Sequence, residues 1–134
     1  MAQKTTEFGS FVGKVFHEVF FQPDDELSAK SFKEYFSPDF TANINGTPIP
    51  GDFFKDAIAT ARAKELFKVV QVQEIIASNN ADKASGGSVA HHTVFSVIDK
   101  ETGAEHQEGS LTVVTCALQD GKVVLTQLTE VQRK

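Results

Sequence analysis

The chain has 134 residues, of which 40% are apolar and 23% charged, with 13 basic and 18 acidic side chains and a formal net charge of −5. This is the size of one domain, residues 1–134, able to bury a sizeable core. The acidic balance and the lack of any Lys/Arg cluster exclude a phosphate-neutralising nucleic-acid surface. The one cysteine, Cys116, excludes an intrachain disulfide and fits a reducing compartment.

Residues 5–21 are predicted to be helical, because Phe8, Phe11, Val12, Val15, Phe16, Val19 and Phe20 recur at three- and four-residue spacing. His17 falls almost opposite that stripe. Gly9 and Gly13 weaken this helix unless close packing needs them. Glu7, Lys14, His17 and Glu18 interrupt any signal-type apolar segment, and no run approaches the ~18–20 apolar residues of a membrane span. The expected location is therefore cytoplasmic, with no membrane partner.

Pro23-Asp24-Asp25-Glu26 opens a second helix, since acidic residues complement the positive end of the helix dipole. It runs through Phe36, with Leu27, Phe32, Tyr35 and Phe36 facing in, and Ser37-Pro38 ends it. Phe40–Ile44 alternates as a half-buried strand does, and Asn45-Gly46 supplies a tight turn into a return arm, Thr47–Ile49. Pro50-Gly51-Asp52 starts a third helix to about Leu66, with Phe54, Ala57, Ile58 and Ala61 inward.

The second half is a meander. Strands are expected over Phe67–Ser78, Val89–Ile98, Glu105–Leu118 and Val123–Gln132, separated by the polar loop Asn79–Gly87, the hairpin Asp99–Gly103 and the Asp120-Gly121 turn. Helices followed by long antiparallel strands define an α+β domain. Cys116 lies in the apolar run 111–118 and is expected to be a buried small hydrophobe.

Four places in this order resemble the NTF2-like superfamily, in its SnoaL-like and ketosteroid-isomerase-like branch. They are the Phe-rich first helix, Tyr35-Phe36-Ser37-Pro38-Asp39-Phe40, Asp99–Gly103, and Leu118–Val124 with Thr129-Glu130-Val131. The resemblance implies a cone in which a strongly curved, mostly antiparallel sheet wraps three N-terminal helices and leaves a pocket. It also implies dimers through the outer sheet face, and chemistries from isomerisation to dehydration beside non-catalytic members. The family's aspartate base falls near Ile44 here, and its second acid near Val114. Alkyl groups cannot replace either acid, which argues against the steroid-isomerase mechanism. The two-histidine dehydratase set is incomplete too, because Phe67–Ser78 holds no histidine.

Aligning the closing hairpin with the family puts Glu108, Ser110, Thr112, Val114, Cys116 and Leu118 inside, with Val124, Thr126, Leu128 and Glu130 on the last strand. On the second long strand the inward set is His91, Thr93, Phe95 and Val97; a one-residue bulge would swap any of these faces. His91 reads either as a general acid/base or as a core histidine satisfied by a neighbour. Glu130 and Glu108 read either as desolvated carboxylates of use in proton transfer or as outward, paired glutamates. Thr93, Thr112, Thr126, Val114 and Ile44 are candidate ligand contacts. His91 and His92 are adjacent and leave opposite faces, so they cannot share a metal, and His106 lies near a loop. The expected activity is a cofactor-free, metal-free isomerase, cyclase or dehydratase acting on an apolar polyketide- or terpenoid-like molecule. The alternative is a non-catalytic small-ligand or protein-interaction member of the fold.

Overall fold

The computed structural model describes residues 5–133. Three helices, α1 (Glu7–Phe20), α2 (Asp25–Tyr35) and α3 (Gly51–Lys64), pack against one six-stranded sheet. Its strands are β1 (Phe36–Ile44), β2 (Thr47–Pro50), β3 (Glu65–Ala77), β4 (Gly86–Asp99), β5 (Glu105–Gln119) and β6 (Lys122–Arg133). Their order is β2-β1-β6-β5-β4-β3. Only the β1–β6 pair is parallel among the described residues; every other neighbour is antiparallel. The fold is α+β with a mixed sheet. Two helices precede the sheet and α3 lies between β2 and β3, so the helices are not all N-terminal to the strands.

β2 and β3 are the two edges of the sheet, and α3 packs on both. α3 begins directly after β2 and ends directly before β3, so its two ends join the two edges of the sheet. α1 packs on β3 and β4, and α2 on β1 and β6, so the helices fill the inner face.

Local chemistry sets each element. Thr6 caps α1 by accepting from the Gly9 amide at 2.9 Å, and Asp24 caps α2 by accepting from the Glu26 and Leu27 amides at 3.0 and 3.1 Å. α2 turns a polar seam toward α1. Ser28 donates to the Val19 carbonyl and Ser31 to Glu18 Oε1, both at 2.7 Å, and both serines are buried while Leu27 and Tyr35 are only half-buried. The helix ends at Tyr35 and the first strand starts four residues before the expected Phe40. Ser37-Pro38 lies inside β1, where the register shifts between Phe36 and Thr41. A bulge tolerates a residue without an amide hydrogen. Asn45 and Asp120, each followed by glycine, adopt φ of 52° and 50°, the left-handed conformation that tight hairpins need.

The core is a phenylalanine cluster. Phe32 stacks on Phe36 at 4.2 Å, Phe36 meets Phe40 edge-on at 4.7 Å, and Phe40 reaches Phe54 of α3 at 5.4 Å. Such pairs contribute about 0.5–1.5 kcal/mol each beyond burial. Arg62 joins the helices. From α3 it donates to Asp25 at 2.9 Å, to the Val19 and Phe20 carbonyls at 3.2 and 3.3 Å, and to Gln22 O at 2.8 Å. A basic residue in the last turn of a helix is commonly solvated, but Arg62 is only 6% exposed.

One bulge changes the expected inner face of β6. Thr115 pairs with Gln127 and Cys116 with Leu125, so Thr126 is the extra residue. Leu128 lies on the inner face above the bulge, while Leu125 and Val123 join the main core cluster below it; Val124 is buried too but lies outside that cluster. Leu118 also departs from the expected inward set and is 53% exposed. Among the described residues, no helix is long and apolar enough to cross a membrane.

Candidate functional site

A cavity of about 320 Å³ lies between the C-terminal end of α1, α3 and the inner face of the sheet. Its walls carry the rings of Phe16, Phe20, Phe21, Phe54, Phe67 and Phe95. Its polar groups come from the strand floor: Thr93, Ser110, Thr112, Glu130 and Gln132. They arise from cross-strand register. Ile44 of β1 pairs with Glu130, Glu130 with Thr112, Thr112 with His91, and His91 with Glu74. The next inner row joins Thr93, Ser110 and Gln132. An apolar cavity with a few convergent polar groups is the usual make-up of a small-molecule site.

The Thr112 hydroxyl oxygen is buried without a hydrogen-bond partner among the described residues. An unpaired buried hydroxyl costs about 1–3 kcal/mol. Its directly paired neighbours are Glu130 on β6 and His91 on β4. Burial raises the Glu130 carboxyl above the ordinary glutamate value; the Gln132 amide bond opposes that shift and the nearby Glu108 charge adds to it. Gln132 Nε2 donates to Glu130 Oε2 at 2.7 Å. Arg62 also lines the cavity, but bonds to α1, α2 and their connecting turn already engage its guanidinium.

Ile44, Thr93, Thr112 and Glu130 therefore meet at one cavity. The other candidates lie elsewhere. His91 is on the inner face but 3% exposed and outside the cavity lining. Burial lowers its pKa, and the Glu74 carboxylate opposes that shift. Val114 is a fully buried core residue. Thr126, displaced by the bulge, donates to the Thr115 carbonyl at 3.1 Å. Glu108 sits outside the lining, with Oε2 2.7 Å from His106 Nε2. His92, on the opposite face from His91, is exposed. Cys116 is buried and its thiol is pushed up to about 12 by burial.

Sequence reasoning missed Gln132, Arg62 and Glu74. Extending the even-numbered inner set of β6 by one pair would have found Gln132. Glu74 had no such signal, because two register shifts in β3 flank it and break simple alternation. It is buried, and its Oε1 accepts from the Thr6 amide and hydroxyl, both at 3.1 Å.

No family model matches the chain, and no curated protein matches it. Solved structures do. A conserved protein from Planctomyces limnophilus DSM 3776 is similar with a TM-score of 0.74 and 10% identity, over 91% of this chain and 93% of that one. A ketosteroid isomerase-like protein from Erwinia carotovora atroseptica SCRI1043 gives 0.71 and 11%, over 93% of each chain. A protein of the SnoaL-like family from Agrobacterium tumefaciens str. C58 gives 0.59 and 10%, over 96% of this chain and all (100%) of that one. At these identities the likeness defines the fold alone: the chain has the NTF2-like fold. A fold of this kind does not fix a reaction.

Proposed function

We propose that the protein takes a small, largely apolar molecule bearing one oxygen function, and that Glu130 moves a proton at that oxygen. The reaction class is isomerisation, cyclisation or dehydration without a cofactor. One observation carries the reading: the unpartnered Thr112 hydroxyl is paired across the strands with a carboxyl whose neutral form burial favours, in a cavity walled by phenylalanine. A ligand oxygen would complete the Thr112 hydrogen bond and take one from neutral Glu130. Ser110 and Thr93 are the remaining hydroxyls that orient it. In this reading His91 is not the base, and Glu108 acts on Glu130 only through its charge.

A second reading, a non-catalytic holder of the same ligand, is favoured by the cavity's charged lining. Arg62 is engaged, which leaves Glu130 as the one lining acid or base among the described residues. A proton-transfer cycle would then need water or the ligand itself as the second proton carrier.

We also propose a homodimer through the outer sheet face, where Leu111, Val113 and Val131 are 42%, 43% and 60% exposed. Leu111 and Val131 are cross-strand partners there. Sedimentation at micromolar concentration is expected to give twice the monomer mass; a monomer would remove this part of the reading.

Calorimetry with a bicyclic aryl ketone, 2-acetylnaphthalene, and its hydrocarbon counterpart, 2-ethylnaphthalene, tests the ligand class. The ketone is expected to bind at least tenfold more tightly, because the hydrocarbon leaves both polar groups unpaired. Equal binding would remove the oxygen-recognising role, and absence of binding by both would remove the ligand pocket. Incubation of the bound ketone's enolisable methyl in deuterated water, followed by mass spectrometry, separates the two readings. Exchange that depends on Glu130 supports the enzyme, and none supports the holder.

A further inference from the structure

Glu130 is held by a short chain of contacts that starts in the β1–β2 turn. Asn45 occupies the left-handed position of that turn, at φ 52°. Its amide donates to the Glu130 carbonyl at 2.9 Å, and its side-chain Oδ1 accepts from the Gln132 amide at 2.9 Å. The turn thus clamps the last strand at both residues. Gln132 then turns its own side chain back to Glu130, with Nε2 2.7 Å from Oε2.

We propose that Gln132, anchored by Asn45, is a positioning residue that keeps Glu130 Oε2 as the acceptor oxygen and Oε1 as the oxygen that carries the acid's proton. This rests on the reading of Glu130 as the cavity acid. The reasoning is stereochemical. In a neutral carboxyl, one oxygen is a carbonyl-type acceptor and the other carries the hydrogen. An N–H donor aimed at Oε2 selects the form in which Oε2 is the acceptor. Oε1 has no bond among the described residues and is left to serve the ligand. Without Gln132 the two forms interchange, and the proton faces the ligand only part of the time. Second-layer contacts of this kind fix the geometry of reactive groups elsewhere.

The other groups that could act on this carboxyl are few. Glu108, with His106 bonded to it, stands on β5. Arg62 shares the cavity from α3, and His91 and Glu74 lie further along the same row on β4 and β3. β1 and β2 contribute Ile44 and Ile49, which do not titrate.

The test is carbon-13 NMR of the glutamate side-chain carboxyls in the whole chain, with Glu130 assigned by loss of its signal in Glu130→Gln. In the wild type Glu130 is expected to titrate above the ordinary glutamate range. Gln132→Met removes the donor, and its midpoint is expected to move further up. Asn45→Gly preserves the left-handed turn but removes Oδ1, and is expected to shift the midpoint in the same direction by less. Amide spectra of the two variants are expected to match the wild type outside the turn and strand end. An unchanged or lowered midpoint in Gln132→Met would overturn the positioning role, while leaving Glu130 as the cavity acid. An ordinary midpoint in the wild type would instead remove the acid reading on which it rests.

Discussion

Gly9 and Glu74 occupy the same space: a Cβ at Gly9 would collide with the Glu74 carboxylate. The missing side chain lets a buried acid from the edge strand reach the first turn of α1, where it accepts from Thr6 and faces the positive end of the helix. Gly13, four residues on, has open space around it.

The two glycines should therefore respond oppositely to alanine. Gly13→Ala is expected to stabilise the protein by up to about 1 kcal/mol, the usual helix gain. Gly9→Ala is expected to destabilise it by about 1–3 kcal/mol, since overpacking exceeds that gain. Urea denaturation of both variants measures the difference.

Arg62 is expected to matter more than its ion-pair partner. Arg62→Ala leaves the carbonyls of Val19, Phe20 and Gln22 without this donor, for a loss of about 3 kcal/mol. Asp25 is 66% exposed, so Asp25→Ala is expected to cost less than about 1 kcal/mol. A loss in Asp25→Ala equal to that in Arg62→Ala would place the stabilisation in the ion pair instead of the carbonyl cap.

The fold was legible where local chemistry decides it. The α1 stripe, the Asn45-Gly46 and Asp120-Gly121 turns and the meander of β3 to β6 follow from spacing and turn residues. The site was legible only in part. Thr112 and Glu130 could be placed by alternation once the family's closing hairpin set the face, and Thr93 by alternation on β4, because these strands pair without a shift through those residues; Ile44 came from the position of the family's base. Thr126 and Glu74 could not be placed by alternation, because each borders a bulge and its face depends on tertiary register. His91 faces inward as expected, in the same cross-strand row as Thr112 and Glu130, but it is buried outside the cavity lining. Strand alternation gives a side and does not say where along a row the helices leave space. Ser28 and Ser31 of α2 were missed because an apolar stripe predicts burial and a serine seam does not.

Stability should depend on pH at both ends of the neutral range. Glu130 has a folded pKa raised above 4.5 by burial. Above 4.5 the unfolded chain loses this proton while the folded chain keeps it, so the favourable contribution is full below 4.5 and fades as pH rises through the folded value. Burial sets the folded pKa of His91 below 6.5. Its contribution is full above 6.5 and fades as pH falls through the folded value. Glu130→Gln is therefore expected to gain melting temperature relative to the wild type as pH rises from 4.5 toward neutrality. A difference that stays constant over that range would mean that Glu130 titrates as an exposed glutamate does.

The most direct test of the proposed site is Thr112→Val, read for stability and ligand binding together. Valine keeps the shape and removes the hydroxyl that has no partner. If that hydroxyl is held for a ligand oxygen, the variant is expected to be more stable by about 1 kcal/mol or more while binding 2-acetylnaphthalene roughly tenfold more weakly. A loss of stability with unchanged ketone binding would contradict the account, because it would make Thr112 a structural residue of the sheet and leave the cavity without its oxygen-recognising group.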